Sequence, residues 1–167
     1  MKWPNRRTVL SNLAWVLAFA VIYSGIRAWQ HRDLVHGLAP QFSATTLQGK
    51  TFTLAGKRDK PLLVHFWASW CRICRMEQSS IDSIARDHDV ITIAIDAADP
   101  IALKRYVQNH GIQASVIPDR SGLAARFGIR GVPTDFIVDR EGRIRFIEVG
   151  YSSEWGLRAR LWLAGRD

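Results

Sequence analysis

Three kinds of hydrophobic pattern run along the chain, and each predicts a different element. Residues 8–26 form 19 consecutive positions without a charge, rich in Leu, Ala, Val, Ile, Phe and Trp. As a helix rising 1.5 Å per residue this stretch spans roughly 28 Å, about the thickness of a hydrocarbon core, and it predicts a transmembrane helix. Continuous apolar runs come next: residues 62–68, broken only by His65, and 90–95 read as buried central strands. A weak alternation over 42–54, centred on Gly49-Lys50, predicts a β-hairpin. Helical spacing predicts a helix over 72–88 with Ile73, Ile81, Ile84 and Ala85 on one stripe, and another carrying Ile101, Leu103, Tyr106 and Val107 that stops at Gly111. A short apolar piece at Val116 and Ile117 precedes a brief helix over 123–127. Strands over 136–138 and 144–149 are joined by the turn-forming Asp139-Arg140-Glu141-Gly142. Ser152 or Ser153 can cap a last helix whose Trp155, Ala159 and Trp162 share a face. This order predicts an α/β domain, a mixed central sheet flanked by helices on both sides.

Charge changes the picture at the amino end. The net charge is +8 over 167 residues, yet residues 1–32 hold five bases (Lys2, Arg6, Arg7, Arg27, Arg32) and no acid, while the remainder holds 18 bases against 15 acids. A short basic flank beside an apolar run argues for a membrane-flanking role and against a nucleic-acid-binding face. A cleavable signal peptide is the rival, through the small pair Ala18 and Ala20, and Arg6-Arg7 invites a twin-arginine reading. An uncleaved signal-anchor is the expectation, since cleavage there would leave apolar residues 21–26 on the mature end. The expected organisation is a cytoplasmic tip and anchor over 1–28, a linker over 29–37 and a domain over 38–167. That domain is expected to face the periplasm from a bacterial inner membrane, with residues 8–26 in the bilayer.

The chain has two cysteines, which excludes a disulfide-stapled scaffold and a four-thiolate zinc site. Both lie in Trp70-Cys71-Arg72-Ile73-Cys74, where a buried strand gives way to a helix. A thiol at a helix amino terminus meets unpaired N–H groups and the positive end of the helix dipole, which stabilise its thiolate. Arg72 and Arg75 add positive charge. At a pKa near 8.5 about 3% of a thiol is ionised at pH 7, and near 6 roughly 90%. The spacing brings the second sulfur within bonding reach, so Cys74 can resolve a mixed disulfide formed by Cys71. Alternatives are an inert staple, a copper or zinc carrier using both thiols with His65 or His88, and an assembly module that does not use its thiols.

The segment Phe66-Trp67-Ala68-Ser69-Trp70-Cys71-Arg72-Ile73-Cys74 resembles the active-site strand and turn of thioredoxins. Likewise Phe127-Gly128-Ile129-Arg130-Gly131-Val132-Pro133-Thr134 resembles the segment ending in their cis-proline. Ala39-Pro40-Gln41-Phe42, Gly49-Lys50-Thr51-Phe52 and a roughly 25-residue excess between Asp96 and Leu123 are similar to the membrane-anchored branch typified by TlpA, ResA and the cytochrome c maturation thioredoxins. Within it, the anchor, the length and the arginine-bearing active site are most like the suppressor-for-copper-sensitivity D-type proteins. The resemblance covers residues 38–165 and implies a thioredoxin-like fold and a thiol:disulfide oxidoreductase with Cys71 and Cys74 as catalytic residues. It implies a cis Val132-Pro133 bond and a substrate-binding segment of Val132, Pro133 and Thr134. Glu77 then stands as a glutamate that tunes the thiols, with Trp70, Arg72 and His65 as further tuning residues. His65 occupies a position that is acidic in thioredoxin, so it is either a proton acceptor for Cys74 or a core histidine held by a carbonyl. Asp135, usually neutral in relatives, reads as a partner-selecting or solvent-facing acid. The expected activity is reduction of disulfides in substrate proteins, recharged by a transmembrane electron donor, with disulfide formation as the alternative. No cofactor and no metal is assigned.

Overall fold

The computed structural model describes residues 6–96 and 99–166, and the chain divides into two units at the Asp33–Leu34 junction. The first unit carries one helix, α1 (Arg6–His31). Among the described residues, no helix is long and apolar enough to cross a membrane. The sequence expectation counted uncharged positions, and uncharged is not the same as apolar. Between Asn12 and Ser24 the run free of such polar side chains is about 17 Å long at 1.5 Å per residue, well short of a hydrocarbon core near 30 Å. The expected transmembrane helix, single-pass inner-membrane topology and periplasm-facing placement are therefore corrected. So are the bilayer contact through residues 8–26 and the transmembrane electron donor implied by the resemblance, since among the described residues no membrane-spanning helix supports either.

In the second unit, a two-residue strand β1 (Gly37–Leu38) leads into a hairpin of β2 (Phe42–Thr45) and β3 (Thr51–Leu54), paired from Phe42↔Leu54 to Thr45↔Thr51. Gly49 closes its turn at φ +80°, a conformation suited to glycine. Then follow β4 (Leu62–Trp67), α2 (Arg72–Ile84), β5 (Asp89–Ala94), α3 (Pro100–Asn109), β6 (Val116–Pro118), α4 (Leu123–Arg126), β7 (Thr134–Val138), β8 (Arg143–Val149) and α5 (Glu154–Ala164).

The main sheet has the order β1-β8-β7-β4-β5-β6. Strands β4, β5 and β6 are parallel, and β7, β8 and β1 add antiparallel pairs. Successive right-handed crossovers from β4 to β5 to β6 place α2 and α3 on the same face. Alternation along β4 divides its wholly buried side chains between two cores. Leu62, Val64 and Phe66 join Phe127, Phe136 and the hairpin residues Phe42 and Leu54 on one face. On the other face Leu63 packs with Ile81, Ile84, Leu157 and Leu161, while Trp67 packs with Cys71, Cys74, Leu103 and Val107. This is a mixed α/β thioredoxin-like fold.

Two predicted helix faces are corrected. In α2 the buried stripe is Cys74, Glu77, Ile81 and Ile84, and Ile73 is exposed. In α5 the buried stripe is Leu157, Leu161 and Ala164, whereas Trp155 is 83% exposed and Trp162 58%. Ser153 is the residue that caps α5, accepting the Gly156 N–H at 3.2 Å.

Candidate active site

The end of β4 and the start of α2 place Cys71 at the junction. Its N–H donates to the Ala68 carbonyl at 3.1 Å, and its Sγ is the N-cap of α2, accepting the Cys74 N–H at 3.1 Å. The sulfur thus receives a helix-terminal amide, which stabilises developing negative charge. Cys71 and Cys74 are joined by a disulfide, with Cα atoms 5.3 Å apart. The Ser69 N–H and hydroxyl both donate to Asp96 Oδ2, tying the turn before the cysteines to the end of β5.

The Val132-Pro133 bond is cis, and the Val132 carbonyl oxygen lies 3.6 Å from Cys71 Sγ. Pro133 accepts the Gly150 N–H at 2.9 Å, and the Thr134 hydroxyl donates to the Gly131 carbonyl at 2.9 Å. The predicted segment 132–134 is therefore fixed from both sides beside the disulfide. Around it, Trp70 is 68% exposed together with Ile73 and Met76, and Arg72 and Arg75 are exposed as well. Trp67 is the buried tryptophan, its Nε1 donating to Thr92 Oγ1 at 3.2 Å.

Below the cysteines lies a buried polar group. His65 is fully buried, and its Nδ1 sits 2.7 Å from Asp135 Oδ1, so its partner is a carboxylate rather than a carbonyl. Glu77 is equally buried, one turn after Cys74, and its Oε1 accepts the Ser152 N–H at 3.0 Å. Burial first, and then the negative charge of Asp135, push the Glu77 carboxyl up to about 9; the Ser152 N–H opposes them. Asp135 neither faces solvent nor can select partners directly, because it is fully buried. The signal that could have found it is its place in Thr134-Asp135-Phe136-Ile137-Val138, an acid inside a strand that is buried throughout. Among the described residues the cluster of close-set ligating side chains is His65, Glu77 and Asp135, within 4.8 Å of one another, and it includes neither cysteine nor His88. The carrier grouping of Cys71 and Cys74 with His65 or His88 is corrected accordingly.

A profile of the AhpC/TSA family matches residues 35–147. A thioredoxin-like protein of Haemophilus influenzae is 28% identical over 162 residues, covering 95% of this chain and 96% of its own length. Thiol-disulfide oxidoreductase ResA of Bacillus thuringiensis is 28% identical over 128 residues, covering 74% of each chain. Among solved structures, the exposed lipoprotein thioredoxin Etrx1 of Streptococcus pneumoniae superposes with a TM-score of 0.68 at 25% identity, covering 74% of this chain and 99% of that one.

Proposed function

We propose for this chain, which belongs to the AhpC/TSA family and is a thioredoxin-like thiol:disulfide oxidoreductase of the ResA/DsbE/TlpA superfamily, that it exchanges disulfides with protein substrates through Cys71 as the attacking sulfur and Cys74 as the resolving one. The observation that carries this assignment is the N-cap geometry: the Cys74 N–H points at Cys71 Sγ from 3.1 Å, stabilising a thiolate at Cys71. An extended substrate segment docks on Val132, Pro133 and Thr134, whose Val132 carbonyl already lies beside that sulfur. Exposed Trp70, Ile73 and Met76 supply apolar contact, and Arg72 favours the reduced form by attracting the thiolate. Glu77, still protonated at neutral pH, adds no repelling charge there. The arginine-bearing active site supports a finer placement beside the suppressor-for-copper-sensitivity D-type proteins.

The test is a pair of serine variants. Cys74→Ser should accumulate mixed disulfides with a model protein disulfide, and Cys71→Ser should not. Faster alkylation of Cys74 than of Cys71 in the reduced protein would reverse the two roles.

A further inference from the structure

A small cleft opens between α2 and the end of α3, and one of the two cysteines lines it. Its volume is about 90 Å³, and its walls are Arg75 and Gln78 of α2, Trp67 at the end of β4, and Tyr106 and His110 from α3 and its cap. Cys74 borders the cleft, whereas Cys71 and the docking residues 132–134 do not. Cys74 belongs to the buried stripe of α2 and packs in one cluster with Trp67 and Tyr106, so it is the side chain that faces this space. Three rings form one wall: the Tyr106 ring centre lies 5.8 Å from that of Trp67 and 4.0 Å from that of His110, on which it stacks. His110 Nδ1 is 3.0 Å from the Tyr106 carbonyl, which can only accept, so this nitrogen donates and the imidazole is fixed in place. On the facing wall Gln78 is held by Asp82 at 3.1 Å. Arg75 beside it is exposed and has no ion pair among the described residues. At about 30 Å³ per water the space equals roughly three waters, which admits a CH2–S head group and excludes a polypeptide.

We propose that this cleft is a second entrance to the disulfide, through which a low-molecular-weight monothiol bearing a carboxylate recharges the dithiol by attacking Cys74. This rests on the dithiol reading above. Arg75 receives the carboxylate at the mouth, and the sulfur reaches Cys74 past Trp67 and Tyr106. In the first step the small thiolate attacks Cys74 Sγ. A bond forms between these two sulfurs, the Cys71–Cys74 bond breaks, and Cys71 leaves as a thiolate. The Cys74 N–H, 3.1 Å from Cys71 Sγ, stabilises that thiolate and makes Cys71 the better leaving group of the pair. At Cys71 itself the Val132 carbonyl oxygen, 3.6 Å from Sγ, turns its negative end toward an arriving small anion. A second thiolate then attacks the monothiol sulfur held on Cys74. Their bond forms, the bond to Cys74 breaks, and Cys74 leaves as a thiolate. Water takes the two protons of the monothiols as they ionise and returns two to the protein. Two monothiols are thereby oxidised to one small disulfide, and the protein disulfide is reduced by two electrons. Protein substrates meet Cys71 at the docking segment, and the small reductant meets Cys74 at the cleft.

The experiment is reduction of the oxidised, full-length chain by glutathione, quenched with acid at short times and followed by alkylation of free thiols. Trypsin cuts after Arg72 and so places Cys71 and Cys74 on different peptides. Mass spectrometry should find the first glutathione adduct on the Cys74 peptide; a first adduct on Cys71 overturns the proposal. Gln78→Phe, which fills the cleft, should lower the rate with glutathione relative to the rate with reduced thioredoxin about tenfold or more, and an unchanged ratio overturns it too. Arg75→Gln leaves the cleft open and should lower the rate with glutathione relative to cysteamine, which has no carboxylate, about threefold or more. Equal ratios in that variant and wild type count against the proposal as well. If wild type exchanges no disulfide with a model protein disulfide, the dithiol reading itself fails; intact exchange with the adduct on Cys71 removes only the role of the cleft.

Discussion

Glu77 is held protonated by its surroundings, and this makes the folded chain sensitive to alkali. From the ordinary glutamate value of 4.5, burial and the Asp135 charge raise its carboxyl to about 9. Between those values the folded chain holds a proton that the unfolded chain has released, so stability declines as pH rises. The contribution is complete below about 4.5 and gone above about 9. Glu77→Gln, which imitates the protonated acid, should therefore gain on wild type by up to about 1.4 kcal/mol per pH unit across that interval. Urea unfolding of the oxidised protein at pH 5, 7 and 8.5 measures it; parallel curves would show an ordinary glutamate. The position of Glu77 was legible, because it precedes Ile81 by four and Ile84 by seven. The His65–Asp135 contact was not, because it depends on which residues of two strands, 70 positions apart, come into register.

At the level of elements, α5 shows what periodicity can and cannot decide. Trp155, Ala159 and Trp162 have helical spacing, and so do Leu157, Leu161 and Ala164. A helix apolar on two faces carries two equally good stripes, and the choice falls to what it packs against. Here Leu157 and Leu161 meet Ile81 and Ile84 of α2, and Arg158 bonds Asp87, Glu154 and the Ser83 carbonyl alongside. Leu161→Ala should cost about 2–5 kcal/mol, as a cavity in a closed core does, and Trp155→Ala should stay within about 0.5 kcal/mol. Thermal unfolding of the two variants would check the assignment, with equal losses refuting it. The same ambiguity placed Ile73 on the buried stripe of α2, although Cys74 and Glu77 occupy that face.

Over the whole molecule, the central strands β4 and β5 followed from continuous apolar runs, since fully buried strands need no alternation, whereas the two-residue β1 was not foreseen. What joins the parts was not visible in the sequence. Gly142, at φ +78° in the β7–β8 turn, leaves no space for a Cβ, which would stand 2.7 Å from the Gly56 carbonyl oxygen. Beside it, Ala39 donates to the Gly142 carbonyl at 2.9 Å, and Arg58 donates to the Arg140 carbonyl at 2.7 Å. One turn thus gathers the segment after β1 and the loop after β3. Gly142→Ala should destabilise by about 2 kcal/mol or more, through strained backbone and the close approach together. A chemical denaturation midpoint unchanged from wild type would show that the turn can shift without cost.

The exposed position of Met76 has a further consequence, for chemical wear. In the oxidised chain the sulfurs of Cys71 and Cys74 are bonded to each other and buried, so peroxide has no thiolate to convert to sulfenic or sulfinic acid. The thioether of Met76, on a residue 64% exposed, has no such protection. Its sulfoxide is polar and would spoil an apolar contact surface without touching the cysteines. Peroxide treatment of the oxidised protein should add oxygen to the Met76 peptide before any cysteine acid appears by mass spectrometry, and a methionine sulfoxide reductase should reverse it. Cysteine acids arising first would show that the disulfide opens more readily than its burial suggests.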